Sequence, residues 1–258
     1  MNAYAPVNGL EMYYEIHGTG HPVVLLHGAL SGIGTSFGEF LPLLAKNRQV
    51  IAVELQGHGR TADIDRPLRT DHLAADVIAL LAHLDIESTD IFGYSLGAGV
   101  ALEVALQAPT LVRKLVVASV SYTVTGLHPG VLDGIDLVTP EMLVGTPFEE
   151  EYLRTAPDPE HWPLLLEKVK DFDRTWQGWT ADQIRSIPAP VLILLGDSDI
   201  VTPEHAVELF RVFGGGIVGD TPAGLPVSQL AIVPGTSHTG MPSRAEWLSP
   251  MIDAFLDR

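Results

Sequence analysis

Cysteine is missing from the sequence altogether. Disulfides, thiolate catalysis and cysteine-ligated zinc are therefore excluded, and a chain without thiols suits a reducing compartment, so a cytoplasmic protein is expected. Positive charge is scarce: 15 Lys and Arg stand against 32 Asp and Glu, for a formal net charge of −17. Such a surface repels nucleic acid and anionic lipid, so neither is expected as a partner, and it favours solubility. No apolar run reaches the roughly 18–20 residues that a membrane span needs. The stretch Met1 to Leu10 has no basic patch followed by an apolar segment and does not read as a secretory signal. Charge of either sign is limited to 18% of the 258 residues, whereas hydrophobic residues make up 46%. That balance supports a large core and excludes a disordered chain.

What is present is alternation. Short apolar runs read as strands at Tyr13 to His17, Val23 to Leu26, Val50 to Leu55, Asp90 to Tyr94, Leu115 to Val120, Val191 to Leu195 and Gln229 to Val233. Most are continuously apolar, as strands covered on both faces of a parallel sheet would be. Between them, Leu73, Val77, Leu80, Leu81 and Leu84 recur at helical spacing, with Thr70 or Asp71 as N-cap. Leu96 to Gln107 is a second helix stopped by Pro109, Pro203 to Phe213 a third followed by Gly214, and Ala245 to Leu256 a last. The pattern predicts a doubly wound α/β sheet. From Tyr122 to Pro188 the alternation stops: prolines separate short helical pieces, and three of the four tryptophans lie here. This stretch is too long for a plain loop. It predicts a helical lid at 122–188, inserted into a core formed by 1–121 and 189–258.

Chemistry concentrates at Gly93-Tyr94-Ser95-Leu96-Gly97, a G-x-S-x-G between a strand and a helix. A sharp strand-to-helix turn would hold Ser95 in a strained backbone conformation, and small residues two positions away on either side avoid collision. The helix N-terminus brings N–H groups and a positive dipole end near the serine oxygen. A serine hydroxyl needs a general base, normally a histidine oriented by a carboxylate. In this class of turn the chain order is serine, acid, histidine. Of the ten histidines, only His205 and His238 follow the best acid. His205 falls early in a helix and reads as an exposed helical residue. His238 follows the last strand in a loop and is preferred as the base. The acid should lie just beyond a strand end; Gly196-Asp197-Ser198-Asp199 offers two, of which Asp199 is preferred and Asp197 reads as a brace of the turn. After the fifth strand, Ser119-Val120-Ser121-Tyr122 holds no carboxylate.

A tetrahedral intermediate needs two N–H donors for its oxyanion. Leu96 supplies one, and Ala29, after His27-Gly28, the other, with Leu30 as a substitute. His27 and His58, the latter within Gly57-His58-Gly59-Arg60, read as structural.

Taken together, His27-Gly28, Gly57-His58-Gly59-Arg60, Gly93-Tyr94-Ser95-Leu96-Gly97, Gly196-Asp197-Ser198-Asp199 and Gly235-Thr236-Ser237-His238 resemble the motifs of the α/β-hydrolase family, in its order and at its element ends. The resemblance covers the sheet and its helices but not the insertion. It implies a mostly parallel eight-stranded sheet with a cap, a triad of Ser95, Asp199 and His238, and Ala29 and Leu96 as oxyanion donors. Two features depart from the pattern. Glu54-Leu55-Gln56 stands where an acid and an arginine usually precede the glycine, and the loop after His27-Gly28 lacks the bulky or glycine-rich signature of several subfamilies.

The expected activity is hydrolysis of small to medium carboxylic esters through an acyl-enzyme, without cofactor or metal, by a monomer or homodimer acting on a small molecule. Leu30, Tyr94, Leu137, Met142, Leu143, Phe148, Trp162 and Trp176 are the expected pocket walls; for those in the insertion, packing within the cap is the alternative. The same triad would serve a lactonase, an amidase, a carbon–carbon bond hydrolase or a perhydrolase. A ligand receptor that keeps the fold and turns over slowly is the alternative of another class.

Overall fold

The computed structural model describes all 258 residues. Eight strands form one sheet: β1 (Asn2–Val7), β2 (Leu10–His17), β3 (Pro22–Leu26), β4 (Gln49–Val53), β5 (Thr89–Tyr94), β6 (Val112–Ala118), β7 (Val191–Ser198) and β8 (Gln229–Ser237). Their order is β1-β2-β4-β3-β5-β6-β7-β8. The β1–β2 and β2–β4 pairings are antiparallel and all others parallel. The helices are α1 (Ile33–Phe37), α2 (Phe40–Leu44), α3 (Thr70–His83), α4 (Leu96–Gln107), α5 (Val131–Asp136), α6 (Pro147–Thr155), α7 (Trp162–Thr175), α8 (Ala181–Arg185), α9 (Pro203–Val212) and α10 (Ala245–Leu256). None is long and apolar enough to cross a membrane.

The continuously apolar central strands are explained by burial on both faces. On β3, Val24 and Leu26 join one apolar cluster, with α3 and α4, while Val23 and Leu25 join a second, with α10. Because β3 and β5 to β8 run parallel, the loops leaving their carboxyl ends gather along one edge of the sheet, the usual place for ligands in such sheets. The stretch between β6 and β7 contains α5 to α8 and no strand. Proline at the first turn and a side-chain cap start α6, where Thr146 accepts from the Glu149 N–H; Thr180 and Gln183 form a capping box on α8.

Three elements differ from the sequence-based expectation. β1 was not foreseen: it is an edge strand burying only Ala5 and Val7, joined to β2 by a turn in which Asn8 and Gly9 both have positive φ. That Asn-Gly pair is the hairpin signal that would have revealed it. α3 has the extended Arg69 at its cap position and no side-chain cap, so neither Thr70 nor Asp71 fills that role. His205 is not an exposed helical residue: it is 4% exposed, stacks on Tyr122 with ring centroids 4.7 Å apart, and accepts from the Tyr122 N–H.

Candidate active site

The turn from β5 into α4 places Ser95 at φ 53° and ψ −118°, a conformation non-glycine residues rarely adopt. Its neighbours show why they must be small. A Cβ on Gly93 would lie 2.3 Å from the Gly97 carbonyl oxygen, and one on Gly97 would lie 2.0 Å from that of Leu26. The Ser95 N–H is fixed on the Ala118 carbonyl of β6. Its hydroxyl stands free above the sheet edge, 2.9 Å from Nε2 of His238.

His238 follows β8. Its Nδ1 lies 2.8 Å from Oδ1 of Asp199, in the loop after β7. With Asp199 ionised, Nδ1 donates to it and Nε2 accepts from Ser95. Tyr94 donates its hydroxyl to the His238 carbonyl at 2.8 Å, and its ring lies beside the imidazole. Burial, then the nearby Asp199 charge, pushes the Tyr94 phenol well up, so it stays a donor. Asp199 is 5% exposed. Burial acts to raise its pKa, but the His238 bond and charge, a 2.6 Å bond from the Ser119 hydroxyl and the Val201 N–H outweigh it, and the carboxyl is held below its ordinary value. Asp197 is exposed and accepts from the N–H groups of Gly235 and Thr236, tying the end of β7 to β8.

Ala29 and Leu96 both border the cavity that Ser95 faces, and neither N–H has an acceptor within the protein. The loop from Gly28 is held from two sides. Leu30 takes a positive φ of 59°. From the stretch between β6 and β7, the buried Glu151 on α6 accepts from the N–H groups of Gly32, Gly34 and Thr35 at 2.9, 2.8 and 3.0 Å. His27 is wholly buried; its Nδ1 is bonded to the Gly28 carbonyl and its Nε2 accepts from the Leu55 N–H. His58, also buried, bonds the Gln56 carbonyl. Burial lowers His27 to about 4, and burial together with neighbouring His27 lowers His58 to about 3, so both are neutral. Where the family pattern has an arginine, Gln56 binds Asp63 and receives Arg66.

The cavity over Ser95 and His238 has a volume of about 330 Å³ and mostly apolar walls. Leu30, Tyr94, Leu143 and Phe148 line it, and Trp176 lines a smaller adjoining pocket of about 100 Å³ that also reaches Ser95. Three expected wall residues lie elsewhere. Leu137 and Met142 are 74% and 68% exposed, while their chain neighbours Val138 and Leu143 line the cavity. Trp162 is buried against Tyr152 in the packing between insertion helices. Missed from the sequence were Ile135, Val138, Leu166, Val169, Phe172 and Asp173, all lining the larger cavity. Their signal was present on α7, where positions 166, 169 and 173 follow helical spacing on one face. Ser119 was missed too, because a lone serine after β6 carries no sequence mark of its bond to Asp199. No three His, Asp or Glu side chains converge as a metal site would require.

Residues 23–250 match the model of the alpha/beta hydrolase family. Over 97% of both chains, the sequence is 26% identical to a non-heme haloperoxidase of Rhodococcus erythropolis. The fold is similar to that of the meta-cleavage product hydrolase of Pseudomonas fluorescens IP01, with a TM-score of 0.75 and 18% identity over 100% of this chain and 97% of that one. It is similar also to the enol-lactonase of Burkholderia xenovorans LB400, with a TM-score of 0.72 and 18% identity over 99% and 100%.

Proposed function

The chain belongs to the alpha/beta hydrolase family, and from that premise we propose that it is a serine hydrolase cleaving small to medium carboxylic esters through an acyl-enzyme. The reading rests on one observation, the unbroken hydrogen-bond chain Ser95–His238–Asp199 opening into an apolar cavity. Ser95 Oγ attacks the ester carbonyl as His238 Nε2 takes its proton. Asp199 fixes the imidazole tautomer and stabilises the imidazolium. The oxyanion falls between the N–H groups of Ala29 and Leu96. His238 then protonates the leaving alcohol, and a water deprotonated by the same nitrogen releases the acid and restores Ser95. In this reading the segment 122–188 is a lid: it supplies most of the apolar wall, and Glu151 ties it to the loop carrying Ala29.

Hydrolysis of p-nitrophenyl esters of graded acyl length tests the proposal. Wild type should release nitrophenol, and Ser95→Ala should lose at least about 10⁴-fold in kcat with an unchanged fold. Equal rates in the two proteins would remove Ser95 as nucleophile. A second reading, lactone or carbon–carbon bond hydrolysis by the same triad, is favoured by the likeness to a relative named enol-lactonase and one named meta-cleavage product hydrolase. Turnover of an enol-lactone with none of the simple esters would select it.

A further inference from the structure

Asp173 is out of place in the apolar cavity. It lies in the last turn of α7 and lines both the main cavity and the adjoining pocket, together with Ser95 and His238, as well as a neighbouring cleft of about 390 Å³ that Lys170 and Arg174 also border. Among the residues lining those two spaces it is the one carboxylate, and there is no Lys or Arg. The cations nearest in sequence are committed elsewhere: Lys170 bonds Glu167 at 2.9 Å, and Arg174 pairs with Asp171 and Asp136. Nothing in the protein offers Asp173 a hydrogen bond, and burial alone pushes its carboxyl up to about 6. A half-buried acid among apolar walls is costly to ionise, whereas Leu at this position would close the wall. A cation entering the cavity would offset that cost.

We propose that Asp173 is a specificity-determining residue that selects ester substrates carrying a cationic ammonium group, which it binds while Ser95 attacks the carbonyl. Three further features fit this assignment. The aromatic rings of Phe172 and Trp176 border the same space, and aromatic rings attract cations. The net charge of −17 concentrates cations around the molecule and repels anions. No Lys or Arg lines the cavity to neutralise a carboxylate on the substrate. The inference deepens the serine-hydrolase reading and depends on it for the word substrate, although binding at Asp173 can be measured without turnover.

The test therefore has a binding arm and a kinetic arm. In the first, benzylammonium, benzyl alcohol and benzoate, nearly equal in size, are titrated calorimetrically into Ser95→Ala and into Ser95→Ala/Asp173→Asn at about pH 8, where the amine is protonated. Benzylammonium should bind Ser95→Ala about tenfold or more tightly than benzyl alcohol, with benzoate weakest, and the ammonium preference should vanish with Asp173→Asn. Equal binding of the amine and the alcohol, or a preference that survives the substitution, overturns the assignment. In the second arm, the ratio of kcat/KM for the p-nitrophenyl esters of 6-aminohexanoate and heptanoate is compared between wild type and Asp173→Asn, and that ratio should fall by a similar factor. Absence of all ester turnover beside an Asp173-dependent ammonium preference would overturn the esterase reading and leave this one standing.

Discussion

In the proposed reaction Ser95 acts as the nucleophile because backbone strain and a shared proton act on the same residue. The positive φ of Ser95 holds its hydroxyl clear of the sheet, where only His238 meets it. The two aspartates of the loop after β7 have the same chemistry and separate tasks. Asp199 is buried, with one oxygen on His238 and the other on Ser119, while Asp197 faces solvent and accepts from two backbone N–H groups of β8. Asp199→Asn should therefore lower kcat by about 10³–10⁴-fold, as loss of the tautomer-fixing carboxylate does. Asp197→Asn should stay within a few-fold of wild type, both measured on the best p-nitrophenyl ester. The reverse order would move the acid to Asp197.

Two close approaches decide the elements. α4 can lie against β3 only because Gly97 has no side chain. Gly97→Ala would drive a Cβ into backbone that cannot yield, and a loss of about 3 kcal/mol or more in urea unfolding is expected. Gly99→Ala, whose Cβ would meet its nearest atom at 3.6 Å, an ordinary contact, should be close to neutral. The other approach is made by α6, which reaches across to the loop after β3 through Glu151. Glu151→Ala would leave three N–H groups without an acceptor and release the segment that positions Ala29. A fall in kcat of about tenfold or more is expected, part of the roughly 10²–10³-fold that loss of an oxyanion donor costs, whereas Glu150→Ala on the exposed face of the same helix should change little. Equal effects of the two substitutions would show that the tether does not act on catalysis.

Over the whole molecule, the adjacent buried pair His27 and His58 couples stability to pH. Their native pKa values, about 4 and about 3, lie below the ordinary 6.5. As pH falls through 6.5, the unfolded chain takes up protons that the folded chain cannot, so the stability contributed by the neutral rings is complete above that pH and drains away below it. Glu54 and Asp173, raised by burial to about 7 and about 6, work in the opposite sense, since the folded chain binds their protons first. The histidine contribution is isolated by comparing wild type with His58→Gln. The stability advantage of wild type at pH 7 should shrink by about 2 kcal/mol at pH 5, at about 1.4 kcal/mol for each pH unit below 6.5. Urea midpoints at the two pH values measure it, and a constant difference would show that His58 titrates normally in the fold.

The sequence by itself determined the sheet, because strands buried on both faces must be apolar throughout and helices between them must show a 3.6-residue period. It also determined the spacing of small residues around Ser95, since sterics at a tight turn are local. The loops bearing His27-Gly28, Ser95, Asp199 and His238 could be placed at one edge once the strands were known to run parallel. β1 stayed hidden because an edge strand buries little and carries a weak pattern; Asn8-Gly9 was its only strong mark. What faces the cavity was decided by tertiary structure alone. Leu137, Met142 and Trp162 are as apolar as Leu143 and Phe148, and composition cannot say which of five apolar side chains turns outward, packs within the insertion or looks down on Ser95. The same holds for Ser119 and Glu151. Each takes its role from a group far away in the chain, and such pairings exist only when burial removes water and leaves a polar atom with one partner within reach.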